Sequence, residues 1–86
     1  MNFPASNVLL VEDDPKMHEV LSALLHEDNI TLGSARNAEE ALGEIRETRY
    51  DLMLLDLGLP GMNGFEILRQ LRDNPAPYSL PVIVLT

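Results

Sequence analysis

Two short apolar runs in this sequence end abruptly in carboxylates. Val8 to Val11 runs into Glu12, Asp13 and Asp14, and Leu52 to Leu55 runs into Asp56. A continuous apolar run of that length suits a strand buried on both faces. Strand-end acids in an open parallel sheet lie at the carboxyl edge, where ligands bind. If the first and third strands are neighbours, Glu12, Asp13 and Asp56 converge on one small pocket. At about 4 Å and an effective dielectric near 20, each pair of carboxylates repels by roughly 4 kcal/mol. A divalent cation removes that cost. An all-oxygen, partly hydrated donor set favours magnesium or manganese. The plainer reading of one strand-end Asp is a solvated residue or a helix cap, and Asp14 before Pro15 is read as such a cap.

The elements that must position these acids follow from periodicity. After Pro15, Met17, Val20, Leu21, Leu24 and Leu25 recur at helical spacing and should end near Asp28 and Asn29. Ile30 to Ala35 reads as a second strand. Asn37 with Glu40 resembles a capping box, followed by Ala38, Ala41, Leu42 and Ile45 on a second helix ending near Thr48. Asp51 to Leu55 is the third strand, and Gly58 to Gly64 is a loop by its Gly and Pro content. Phe65, Leu68 and Leu71, with Ile67 on the flank, mark a third helix, which Asn74-Pro75-Ala76-Pro77 breaks. Pro81 opens a fourth strand, Val82 to Leu85. Strict alternation of strand and helix with short connections implies an α/β fold, a doubly wound parallel sheet with helices on both faces.

Composition narrows the function classes. The chain has 86 residues, which argues for one domain, and its 45% hydrophobic content argues against disorder. Fourteen acids against six bases give a net charge of −8, which disfavours nucleic acid and anionic membrane as partners of this segment. Glu39, Glu40, Glu44 and Glu47 are read as solvated helix faces. There is no cysteine, hence no disulfide, thiolate metal site or thiol nucleophile. Without a signal-peptide pattern or a spanning apolar run, a cytoplasmic location is expected. His18 and His26 are read as exposed residues on the polar side of the first helix. Met53 and Met62 are read as packing residues.

Three segments together resemble the response-regulator receiver family: Val8-Leu9-Leu10-Val11-Glu12-Asp13-Asp14, the run Asp51 to Gly64 around Asp56, and Leu80-Pro81-Val82-Ile83-Val84-Leu85-Thr86. The resemblance covers essentially the whole chain, with the motifs in the family's order and spacing. It implies a flavodoxin-like (CheY-like) three-layer fold with strand order 2-1-3-4. It also implies that residues 1–86 are a receiver domain incomplete at its C-terminus, with the helix, fifth strand and last helix of the fifth unit missing. Asp56 would accept a phosphoryl group from a histidine kinase or phosphotransfer protein. Asp13 would ligate Mg2+ directly, Glu12 through water, and Asp56 and the Gly58 backbone carbonyl would complete the set. Thr86 would hydrogen-bond a phosphoryl oxygen, and the Leu57 N–H would help hold the group.

A sheet ending at the fourth strand leads to two further expectations. Phosphorylation and switching should be impaired for want of the family's fifth-strand Lys. The chain should also form a homo-oligomer, possibly strand-swapped, through the exposed fourth strand or the uncovered sheet face. Two other readings are weighed. One is a receiver-like interaction or dimerisation module without phosphotransfer. The other is a magnesium-dependent phosphatase of the haloacid-dehalogenase type, which wants a second Asp where this sequence has Gly58. The chain is expected not to be a turnover enzyme.

Overall fold

The computed structural model describes residues 6–57 and 64–85, Glu27 by its backbone only. Its elements alternate as expected: β1 (Ser6–Val11), α1 (Pro15–Leu25) with a single 3-10 turn (His26–Asp28), β2 (Ile30–Ala35), α2 (Ala38–Glu47), β3 (Leu52–Leu55), α3 (Gly64–Asp73) and β4 (Val82–Val84). The four strands form one parallel sheet in the order β2-β1-β3-β4.

Local chemistry sets the boundaries. Asp14 caps α1, its Oδ1 accepting the Lys16 N–H at 2.9 Å, with Pro15 in the first helical position. Asn29 turns the chain into β2 in the left-handed region, at φ 59°. Asn37 Oδ1 accepts the Glu40 N–H at 2.8 Å. Glu40 Oε1 reaches back to the Arg36 N–H at 3.0 Å, one residue before the cap, in a shifted version of the expected box. β1 begins two residues earlier than its apolar run. The Asn7 N–H donates to Asp51 Oδ2 at 2.8 Å and the Asn7 side-chain amide to the Arg49 carbonyl at 3.2 Å, so polar residues extend the strand.

The alternation of side chains along the strands divides the sheet into two faces. Leu9, Val11, Met53 and Leu55 point toward α2 and α3 and are fully buried with Ala35, Ala41, Ile45 and Ile67. α3 packs differently from the expected pattern. Phe65 is 71% exposed, whereas Ile67 is buried at 2%. Gly64, Ile67, Leu68 and Leu71 form the inward stripe, at spacings of 3, 4 and 7. α1 lies over the other face against β2, and none of its residues is fully buried. Met17, Val20 and Leu24 of its apolar stripe are exposed, as are Ile83, Val84 and Leu85 at the β4 edge.

A polar clamp holds the amino edge of the sheet. The Tyr78 hydroxyl accepts the Tyr50 N–H at 3.1 Å and lies 2.9 Å from the Ile45 carbonyl and 3.0 Å from that of Thr48. The Arg49 guanidinium sits 5.1 Å over the Tyr78 ring. The Tyr50 hydroxyl donates to Glu44 at 2.8 Å. Burial, then the bond to Glu44 and its charge, hold the Tyr50 phenol well above its ordinary pKa. Glu44 is thus a half-buried acceptor and departs from the expected solvated role. The Tyr50 ring lies against Gly33 of β2, where a Cβ would stand 3.0 Å from its Cζ and overlap its hydroxyl. That close approach is why β2 carries glycine there.

Candidate functional site

β1 and β3 are direct neighbours, and their register pairs Val11 with Leu55. The residues that follow each strand, Glu12 and Asp56, therefore emerge side by side at the carboxyl edge. The Asp56 N–H continues the ladder to the Val11 carbonyl at 3.3 Å, and the Glu12 N–H bonds the Ala35 carbonyl at 2.9 Å. The Glu12 backbone is tied to β2, and that of Asp56 to β1. Its carboxyl is buried at 5% exposure.

The Glu12 carboxyl accepts the Asp14 N–H at 3.0 Å and lies within electrostatic reach of Asp56. Two carboxylates placed together disfavour ionisation unless a cation offsets their charge. Accordingly, the Glu12 pKa is raised. Burial is the largest cause, the Asp14 N–H opposes it, and the bond to Asp56, the charge of Asp56 and the charge of Asp13 add to it. Asp13 stands at the rim, exposed, and Asp56 is half-buried. Asp13 and Asp56 each act on Glu12 electrostatically. Gly58 and Thr86 lie outside the described residues.

Among the described residues, the acids that follow β1 and β3, Glu12, Asp13 and Asp56, are oxygen donors of the kind a hard cation takes. Among the described residues, no group of three or more His, Cys, Asp or Glu is arranged to hold a metal ion.

The Glu12 side chain also lines a cleft of about 590 Å³ between the first turn of α1 and the carboxyl end of β2, with Leu10, His18, Ser34 and Arg36. His18 is half-buried there, its Nε2 3.1 Å from the Leu32 carbonyl, where only the Nε2–H form can donate. Helical periodicity placed it on the polar side. The carbonyl it meets belongs to a strand edge and leaves no mark in the sequence. His26 is exposed, as expected.

Comparison with known proteins agrees with this geometry. The family model for the response regulator receiver domain matches residues 8–86. The chain belongs to that family and is a receiver domain of two-component signalling. Among curated relatives, the DNA-binding response regulator MtrA of Mycolicibacterium smegmatis is 38% identical over 86 residues, covering 100% of this chain and 36% of its own length. ResD of Bacillus subtilis, a transcriptional regulatory protein, is 37% identical over 81 residues, 94% of this chain and 32% of its own length. The chain thus spans about a third of the length of these relatives.

Among solved structures, the receiver domain of a Pseudomonas aeruginosa PAO1 sensor histidine kinase superposes with a TM-score of 0.79 at 29% identity, over 96% of this chain and 68% of that one. That structure has a magnesium ion coordinated in its active site cleft. The CheY-like fold, here with four strand units, is that of the family. Among the described residues no helix is long and apolar enough to cross a membrane.

Proposed function

We propose that this receiver domain accepts a phosphoryl group on the Asp56 carboxylate from a histidine kinase or phosphotransfer protein, with Mg2+ as cofactor. Receiver domains interact with histidine kinases, and a phosphohistidine is an activated donor. An Asp56 carboxylate oxygen attacks phosphorus in line, the P–N bond breaks, and the imidazole leaves with its electron pair and takes up a proton. Asp13 and Asp56 would ligate the metal, with Glu12 through water and the Gly58 carbonyl completing the set. Bound there, the metal would neutralise charge between the anionic acceptor and the anionic phosphoryl group. The chain's own residues do the rest. The β1–β3 register aims Asp56 at Glu12, the Asp14 N–H holds Glu12, and the Leu57 N–H and Thr86 hydroxyl would receive phosphoryl oxygens.

The observation that carries this reading is the β1–β3 register, which brings Glu12 and Asp56 out side by side at two non-consecutive strand ends. Incubation with Mg2+ and phosphoramidate, a P–N donor, followed by peptide mass mapping, tests it. One phosphoryl group on the peptide containing Asp56, labile to hydroxylamine and missing in Asp56→Asn, is the expected result. Modification at another residue, or none with Mg2+ present, refutes it.

A second reading, self-association, is favoured by the exposure of Met17, Val20, Leu24, Ile83 and Val84. Sedimentation at low concentration separates the two readings, because a well-folded monomer excludes the second.

A further inference from the structure

Gly64 opens α3 and is buried. Its φ lies outside the left-handed region, so conformational freedom does not explain the glycine. Close approach does. A Cβ at this position would overlap Leu57 Cδ2 and stand only 2.9 Å from the Leu57 Cα. The side-chain overlap can be relieved by a new rotamer, but the clash with the backbone cannot. Leu57 is the residue directly after Asp56.

We propose that Gly64 is a positioning residue for the phosphoacceptor. Its lack of a side chain lets the start of α3 seat the Asp56–Leu57 backbone and so aim the Asp56 carboxylate and the Leu57 N–H. This inference rests on the assignment of Asp56 as acceptor beside a cation. Any Cβ at position 64 forces one of two neighbours to move. α3 is anchored by Ile67, 2% exposed, among Met53 and Leu55 in the core. On the other side, the β1–β3 ladder reaches only as far as Asp56, through a bond of 3.3 Å. Leu57, one residue past that bond, is the part that yields. The displacement therefore falls on the acceptor's own backbone, while the hydrophobic core stays in place.

The test is amide NMR titration with Mg2+, then beryllofluoride, of the wild-type chain, Gly64→Ala and the double variant Gly64→Ala/Leu57→Ala, each with a urea unfolding curve. Gly64→Ala should weaken Mg2+ binding about tenfold or more, as loss of a group that orients metal ligands does. The double variant removes Cδ2 but leaves the backbone at position 57 in the way of the new methyl group. It should therefore regain no affinity, and no stability either, because Leu57 packs against the core. Ile67→Ala, a core control, should lose stability and keep its Mg2+ affinity. Wild-type affinity in Gly64→Ala overturns the inference and leaves the acceptor assignment standing. Affinity restored together with stability in the double variant also overturns it, since Gly64 then serves packing only. Failure of both Gly64 variants to fold overturns it too, because the effect then lies on the fold as a whole. No Mg2+ response at Asp13 or Asp56 in the wild type removes the acceptor assignment and this inference together.

Discussion

Replacing Asp56 with Asn keeps the shape of the side chain and removes its charge. In the wild type, Glu12 is buried and its charged form is disfavoured by both Asp56 and Asp13. At hydrogen-bonding range two carboxylates repel by about 4 kcal/mol at an effective dielectric near 20. A proton held between them relieves much of this, so a net gain of about 1–2 kcal/mol for Asp56→Asn near pH 8 is the expected size. The sign follows from the raised Glu12 pKa. Below the ordinary glutamate range, Glu12 is protonated in both folded and unfolded chains. Its favourable contribution is then complete, and it is lost as pH rises through the folded-state value. Asn at position 56 removes the Asp56 contribution to that rise but leaves burial, the largest cause. The variant should therefore match the wild type near pH 4, become the more stable as pH climbs, and still decline somewhat. Metal-free urea unfolding at pH 4, 6 and 8 measures this. About 1 kcal/mol corresponds to about 4–8 °C in Tm for a domain of this size. A variant equal to or less stable than the wild type at pH 8 would refute the assignment of Glu12 and Asp56 as a charge-strained pair.

The other predictions concern parts of the fold that hold the site. Tyr78→Phe deprives the Tyr50 N–H of its acceptor and should cost about 1–3 kcal/mol by urea unfolding. Its Mg2+ affinity should be unchanged, because the clamp lies at the opposite edge of the sheet. Ile67→Ala should cost about 2–5 kcal/mol, a large share of a small domain's total, while Phe65→Ala should cost little by the same measurement.

Much of the fold was legible because the strands are short, apolar runs that end in punctuation. Val8 to Val11 is a strand buried on both faces, Leu52 to Leu55 is a strand buried at Met53 and Leu55 but only half-buried at Leu52 and Leu54, and Asp14-Pro15 and Asn37 mark real helix starts. The order β2-β1-β3-β4 followed from the family resemblance, and with it the meeting of Glu12 and Asp56. Tertiary partners were not legible. The third helix reads on Phe65, Leu68 and Leu71 with Ile67 on the flank, whereas the sheet takes Ile67 inward and leaves Phe65 out. Gly64 reads as the end of a Gly/Pro loop, whereas it opens the helix and a side chain there would meet the Leu57 backbone. Glu44 and His18 carry polar-face spacing, yet each finds a partner beyond its own helix, in the Tyr50 hydroxyl and in the Leu32 carbonyl. Nothing local in the sequence pairs Tyr78 with the end of the second helix.

The proposed phosphoryl transfer at Asp56 calls for a shared cation position between the ends of β1 and β3. Substoichiometric Mn2+, a paramagnetic stand-in for Mg2+, reads that position directly through broadening of amide signals. Broadening should centre on Glu12, Asp13, Asp56 and Leu57, disappear when Mg2+ is added in excess, and spare Ser6 and Tyr78. Broadening centred on the acids of α2, or spread evenly over the acidic surface, would contradict it.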